Sequence, residues 1–368
     1  MTAVLVCAGT AGHINPALSI ADEIKKRNPE SKIYFIGADR ELENRLVPEA
    51  GYELFNITMS GIRRGFTPSD IIYNIKTIKN TFFAGMKSKK LLKKLNPDFV
   101  IGTGGYVCYP VIKKASKRGI ATYIHESNAI PGMAVKMLSS YLDKIFVTFD
   151  QSKSYYKQPD KVIYTGTPIR KEFFEYLGEE KEQQKSFDKP LLVSFWGSLG
   201  SSKMNDMMPE FIKQNIEESC FYHIHAIGGS EEEFMEKLHS LGIKNPMPPF
   251  ADIREYISDM PQVLARADLA LCRAGGSTIA ELTATFTPAL LVPSPYVVDD
   301  QQKENAKMLE RAGAVKKIQE INCTPELLYE KVKSMLDDEK ALHAMKTAQR
   351  RLYKENAAKK IVDLILQE

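Results

Sequence analysis

The sequence is poor in the residues that staple or anchor a chain. It has one tryptophan and five cysteines in 368 residues. Cys7, Cys108, Cys220, Cys272 and Cys323 form no CxxC pair, which excludes a zinc ribbon or disulfide framework and suggests small buried hydrophobes in a reducing cytosol. No run of about 18 apolar residues occurs, so no membrane span is expected. The opening Met-Thr-Ala-Val-Leu-Val-Cys has no basic stretch and reads as a first strand rather than a signal peptide. Gly9 and Gly12 lack the middle glycine of the dinucleotide fingerprint, which argues against a dehydrogenase. There is no short-period repeat, and no acid or histidine cluster has metal-ligand spacing, so neither metal nor cofactor is expected.

What remains is ordinary globular composition, 43% hydrophobic and 26% charged, at a length suited to about two domains. The net charge of +4 hides an asymmetry. Residues 1–170 hold 25 Lys/Arg against 14 Asp/Glu, and residues 171–368 hold 25 against 32. The first half therefore suits an anionic partner, with nucleic acid and membrane the two candidates. Short apolar runs at Val4–Ala8, Lys32–Ile36, Phe99–Gly102, Ala121–Ile124 and Lys144–Thr148 read as buried strands. Helical patterns such as Pro16–Arg27, Glu41–Glu49 and Ile71–Leu95 alternate with them. After a Glu/Lys/Gln-rich stretch at 171–189 the pattern restarts, with strands at Leu191–Trp196, Phe221–Ala226, Leu269–Cys272 and Ala289–Pro293 and a helical tail from Thr324. The fold class expected is α/β, two Rossmann-like domains facing each other across a cleft. Residues 1–168 form the first and 169–368 the second, whose last helix can pack back on the first.

Four Gly-rich turns follow strands and open helices. Gly9-Thr10-Ala11-Gly12-His13-Ile14-Asn15-Pro16 offers free amides and an imidazole suited to base chemistry near neutral pH, or to capping the helix. Gly102-Thr103-Gly104-Gly105-Tyr106-Val107 suits a sugar or phosphate contact, or only a tight turn. Gly197-Ser198-Leu199-Gly200-Ser201-Ser202 and Arg273 to Glu281 present amides and hydroxyls to a phosphate, and the Glu281 carboxylate can accept two ribose hydroxyls or serve the helix dipole. His125-Glu126-Ser127-Asn128 and Gly166-Thr167-Pro168-Ile169-Arg170 also sit at strand ends. Asp299-Asp300 before Gln301-Gln302 reads as helix-capping acids or a metal or diphosphate motif.

In this order, from residue 9 to residue 302, these motifs resemble the MurG family of bacterial N-acetylglucosaminyltransferases. The resemblance implies the two-domain architecture called GT-B. It also implies an inverting transfer of GlcNAc from UDP-GlcNAc to the 4-hydroxyl of MurNAc in undecaprenyl-pyrophosphoryl-MurNAc-pentapeptide. In the second domain it places Glu281 on the ribose, and Ser198, Gly276, Ser277 and Thr278 about the diphosphate, with Ile279 and Ala280 in the same binding run. Ile257 offers backbone to the uracil, Gln301 and Gln302 reach the sugar, and Arg170 lies on the hinge side of the donor. In the first domain Thr10, Ala11, Gly12 and Asn128 close over the donor, while His13, Tyr106 and Glu126 face the acceptor as the catalytic set. His13 and Glu126 are rival bases. Ala11, Ser127, Thr167 and Trp196 depart from the family's usual Gly, Gln, Asn and Gly.

Ile71–Leu95 mixes ten large apolar residues with seven lysines and no acid. It suits peripheral contact with an anionic membrane, or a packed helix with a solvated basic face. The lipid acceptor implied by the resemblance favours the cytoplasmic face of the bacterial cell membrane over nucleic acid. A different GT-B enzyme, such as a UDP-GlcNAc 2-epimerase, and a noncatalytic nucleotide-sugar-binding subunit are the alternatives.

Overall fold

The structure, a computed structural model, describes residues 1–59, 61, 67–176, 188–197, 200–243 and 246–367. The chain divides into two units, Met1–Arg170 with Lys354–Glu368, and Lys171–Tyr353.

The first unit is built on β1 (Thr2–Cys7), α1 (Ala11–Arg27), β2 (Lys32–Gly37), α2 (Glu41–Glu49), β3 (Glu53–Asn56), α3 (Pro68–Leu95), β4 (Phe99–Gly104), α4 (Cys108–Ser116), β5 (Ala121–Glu126), α5 (Met133–Leu138), β6 (Lys144–Val147) and β7 (Val162–Tyr164). Its seven strands pair in parallel in the order β3-β2-β1-β4-β5-β6-β7. The central strands are buried on both faces, as helix-covered parallel strands must be. Ala3, Leu5 and Cys7 of β1 face one cluster, with Ile14, Ala17, Ile20 and Ile24 of α1. Val4 and Val6 face another, with Val111, Ile112 and Ala115 of α4.

The second unit contains β8 (Leu191–Phe195), α6 (Ser202–Glu218), β9 (Tyr222–Ala226), α7 (Glu231–Ser240), β10 (Ala251–Arg254), α8 (Met260–Arg266), β11 (Leu269–Cys272), α9 (Gly276–Thr285), β12 (Ala289–Leu291), α10 (Gln301–Arg311), β13 (Lys316–Lys317), α11 (Pro325–Asp337) and α12 (Glu339–Leu352). Its strands run in parallel in the order β10-β9-β8-β11-β12-β13. The chain then closes on the first unit. α13 (Ala357–Leu366) packs Ile361, Val362 and Ile365 into the cluster beneath α1, and Arg27 pairs with Asp363 at 2.5 Å.

Several expectations are corrected. Pro16 lies inside α1 rather than at its start, since the helix begins at Ala11 and Pro16 removes only one backbone donor. The strands β3, β7, β10 and β13 are too short, and too mixed in sequence, to stand out as apolar runs. The helical tail is three helices, the first capped by Thr324, whose side chain accepts from the Leu327 amide. Of the 171–189 stretch, Lys171–Tyr176 is a short 3-10 helix with Phe173 buried, and residues 177–187 lie outside the described residues. The five cysteines are free thiols, four of them buried. Among the described residues no helix is long and apolar enough to cross a membrane.

One polar group interrupts the core of the second unit. Ser194 Oγ on β8 lies 2.7 Å from His223 Nε2 and 2.7 Å from His225 Nδ1 on β9. A hydroxyl has one proton, so it donates to one ring and accepts from the other, and both rings are neutral. Burial pulls the His225 pKa down to about 3 and that of His223 well below its usual range. In the first unit burial likewise lowers His125 to about 4. These rings take up protons only on unfolding, so stability is lost as pH falls below about 6.5, the unfolded value. Between pH 7 and pH 5 the loss should be about 2 kcal/mol per histidine, seen as an earlier urea midpoint at pH 5. Equal midpoints would contradict it.

Candidate functional site

In the first sheet the strand order reverses between β1 and β4, and in such sheets ligands bind outside the carboxyl ends of those strands. His13, third residue of α1, sits there. Its Nδ1 lies 2.9 Å from the Ala8 carbonyl oxygen. A carbonyl only accepts, so Nδ1 carries the proton and Nε2 of the neutral ring holds a lone pair. Thr103 Oγ1 donates to the His13 carbonyl at 2.6 Å. A Cβ on Gly104 (φ +133°) would lie 2.2 Å from His13 Cδ2, and one on Gly105 (φ +91°) 2.9 Å from the Ala8 oxygen. The paired glycines thus let β4 close against the imidazole. Tyr106 follows, 41% exposed, its ring against Gly61.

Glu126 ends β5, buried, and interacts electrostatically with His13. Its Oε1 accepts from the Asn128 amide at 3.0 Å and from Asn128 Nδ2 at 2.9 Å, and its Oε2 accepts from the Gly132 amide at 2.8 Å. Burial raises its pKa, against the pull of these donors. Both oxygens therefore hold the loop from 126 to 132, and Asn128 is part of that clasp. His125 is buried beside it and donates through Nε2 to the Gly166 carbonyl at 3.0 Å.

Thr10 caps α1 with extended backbone, while Ala11 and Gly12 form its first turn. Ala11 is helical and not left-handed, so its extra methyl meets no backbone penalty. Thr167 pairs with Thr148 at 2.5 Å between hydroxyl oxygens. Arg170 is the last residue of the first segment.

Glu43 is the residue that sequence reasoning misses. Within the expected helix Glu41–Glu49 it is not singled out, yet it is fully buried. Its carboxylate accepts from the Gly9 amide at 3.2 Å and from the Ala38 and Arg40 amides at 3.1 and 3.3 Å, tying the turn before His13 to the turn after β2. Its one signal was position, as the third residue of a helix following a polar turn.

In the second unit the order reverses between β8 and β11. The N-termini of α6 and α9 follow these two strands, so amides and helix dipoles converge as at anion sites. Gly200 (φ +67°) and Gly228 (φ +62°) are so close that a Cβ on Gly200 would lie 2.4 Å from the Ile227 oxygen. Ser198 lies outside the described residues. Gly276, Ser277, Thr278 and Glu281 occupy the opening turns of α9, where Ala280 is half-buried and Ile279 buried, its side chain in the core. Ile257 is also buried and can offer a ligand only its backbone, on a segment framed by Arg254, which pairs with Asp252 and Asp259. Gln301 and Gln302 open α10, and Gln302 Oε1 accepts from the Ser294 amide at 2.8 Å, leaving its amide nitrogen as donor. Asp299 and Asp300 both have left-handed backbone, and the Asp300 side chain makes no capping bond. Trp196 is 3% exposed and packs in the core behind the turn. Among the described residues no three His, Cys, Asp or Glu side chains group as metal ligands would.

Two family models match the chain, the glycosyltransferase family 28 N-terminal domain over residues 3–147 and the family 28 C-terminal domain over residues 191–365. A protein of Acetivibrio thermocellus named UDP-N-acetylglucosamine--N-acetylmuramyl-(pentapeptide) pyrophosphoryl-undecaprenol N-acetylglucosamine transferase is 39% identical, covering 99% of this chain and 97% of that one. A Thermoanaerobacter protein of the same name is 40% identical, covering 97% of each. The crystal structure of Acinetobacter baumannii MurG superposes with a TM-score of 0.76 at 25% identity, covering 100% of this chain and 99% of that one.

Replacing Glu43 by leucine strips three part-buried amides of their acceptor. It should cost about 3 kcal/mol or more in urea unfolding, with Glu43→Gln milder because one carbonyl oxygen remains. Wild-type stability in Glu43→Leu would show that the three bonds are not needed.

Proposed function

The chain belongs to glycosyltransferase family 28 and transfers GlcNAc from UDP-GlcNAc to lipid I to form lipid II in peptidoglycan synthesis, and we propose that His13 is the base of that transfer. The observation that carries this is the Nδ1 bond to Ala8, which leaves Nε2 as the lone-pair nitrogen. The MurNAc 4-hydroxyl gives its proton to Nε2 as its oxygen attacks the anomeric carbon opposite the departing UDP, which inverts the α linkage to β-1,4. Glu126 is committed to three backbone and side-chain donors, so its role is to hold the 126–132 loop and, when ionised, to stabilise the imidazolium formed. Tyr106 offers an exposed hydroxyl to the acceptor sugar, and Thr10, Ala11, Gly12, Asn128 and Arg170 lie on the donor's side.

The second unit holds UDP-GlcNAc. The start of α9, from Gly276 to Ala280 with Ser198, takes the diphosphate, where helix dipoles offset the charge that grows on UDP. Glu281 accepts from the ribose hydroxyls, Ile257 offers backbone to the uracil, and Gln301 and Gln302 reach the sugar.

We also assign the exposed face of α3 to the membrane. Ile72, Phe82, Phe83 and Met86 are each more than half exposed, beside exposed Lys79, Lys87, Lys89, Lys90, Lys93 and Lys94. The side chains of Ile71, Ile75, Lys76 and Ile78 lie outside the described residues. Lysines on anionic headgroups and aromatic rings in the interface form a peripheral contact at the cytoplasmic face, where the lipid-linked acceptor is met. The activity there serves cell-wall growth, cell shape and division.

With UDP-GlcNAc and a short-chain lipid acceptor, His13→Ala should lower formation of UDP and disaccharide-lipid by about 10²- to 10⁴-fold while UDP affinity changes little. Unchanged turnover would remove His13 as base. In co-sedimentation, the protein should favour anionic over neutral vesicles, and Phe82→Ser with Phe83→Ser should weaken binding about tenfold or more. Equal failure with both vesicle types would refute the membrane assignment.

A further inference from the structure

Arg273, the residue after β11, is 7% exposed in its side chain. Nη1 lies 2.7 Å from Glu320 Oε2 and donates to the Val292 carbonyl at 3.0 Å. Nη2 donates to Ser201 Oγ at 2.8 Å. The guanidinium carbon lies 5.8 Å from the ring of Trp196, the chain's single tryptophan. Glu320 is itself buried and meets a second cation, Lys203 Nζ, at 3.4 Å. One rigid fork thus joins the cap of α6 (Ser201), the end of the strand preceding α9, and the exit of β12. On the far side, the buried Asn305 donates to the Ala274 carbonyl at 3.1 Å, fixing the next residue of the same turn.

We propose that Arg273 is a positioning residue of the donor site, which sets the α6 and α9 N-termini against the UDP diphosphate from behind without touching it. The inference rests on the assignment of UDP-GlcNAc to the second unit. Arginine suits the task because its planar fork holds the Val292 carbonyl and Ser201 Oγ at set angles while its charge is paired with Glu320, so its part is chiefly geometric. Trp196, bulky where the family usually has glycine, supplies the face on which the fork rests.

The test separates position from folding. Ser201→Ala removes the link to α6 and leaves the buried ion pair intact. It should raise KM for UDP-GlcNAc and weaken calorimetric UDP binding about three- to tenfold, with kcat within about twofold and an unshifted thermal midpoint. Arg273→Lys cannot span the same partners and should do the same while changing Trp196 emission. Should that variant fail to fold, Arg273→Met with Glu320→Leu removes the pair together and should show the same rise in KM. Wild-type KM in Ser201→Ala and in whichever Arg273 variant folds would overturn the positioning role while leaving the donor assignment standing. Absence of saturable UDP binding in the unmodified protein would overturn the donor assignment, and this inference with it.

Discussion

The β1 residues Ala3 to Cys7 and the β8 residues Leu192 to Ser194 are wholly shielded from water, so such strands can present chemistry only at their carboxyl ends. Both sheets bury their central strands on two faces, and both reverse their order beside that strand. The ends of β1 with β4, and of β8 with β11, are therefore where backbone amides are left without sheet partners. Glycines 104 and 105 let the end of β4 close on the turn after β1, and glycines 200 and 228 let the turns after β8 and β9 meet, at distances a side chain forbids. The same constraint yields two different products, an oriented imidazole in one unit and paired helix N-termini in the other.

Three buried acids show how a carboxylate is disarmed by its surroundings. Glu43 is held by amides of two turns, Glu126 by a loop amide, a side-chain amide and a second loop amide, and Glu320 by an arginine and a lysine. Glu43 and Glu126 accept hydrogen bonds from neighbours close in the fold, and Glu320 is charge-paired there, so each acts as a fastener. His13 differs because its bond to the Ala8 carbonyl uses the nitrogen that carries the proton, so Nε2 keeps its lone pair. Where each residue spends its hydrogen-bond capacity, rather than its type, thus separates these three fasteners from the imidazole we propose as base.

The double α/β repeat is legible in the sequence because its central strands are continuous apolar runs bounded by glycine turns. The turns around His13, Gly104, Gly276 and Gln301 are legible for the same reason. The edge strands β3, β7, β10 and β13 are not, since two to four half-exposed residues carry no periodic signal. Glu43 and Arg273 elude reading for another reason. Glu43 sits in a polar stretch identical in character to any solvated helix start, and the partners of Arg273, Ser201, Val292 and Glu320, are scattered through the sequence. Trp196 shows the limit of reading by resemblance, which marks a departure without telling whether the indole enters the site or backs it.

The helix α13 carries a consequence in time as well as space. Its Ile361, Val362 and Ile365 fill the face of the first sheet that Ala3, Leu5 and the α1 residues line. β1 is made before α13, with the whole second unit between them, so this flank of the first sheet stays uncovered until α13 emerges. The second unit, Lys171–Tyr353, lies between them in the chain and has its own core. The covering of the first sheet therefore depends on a segment made after the second unit, with α13 as the clasp that closes it.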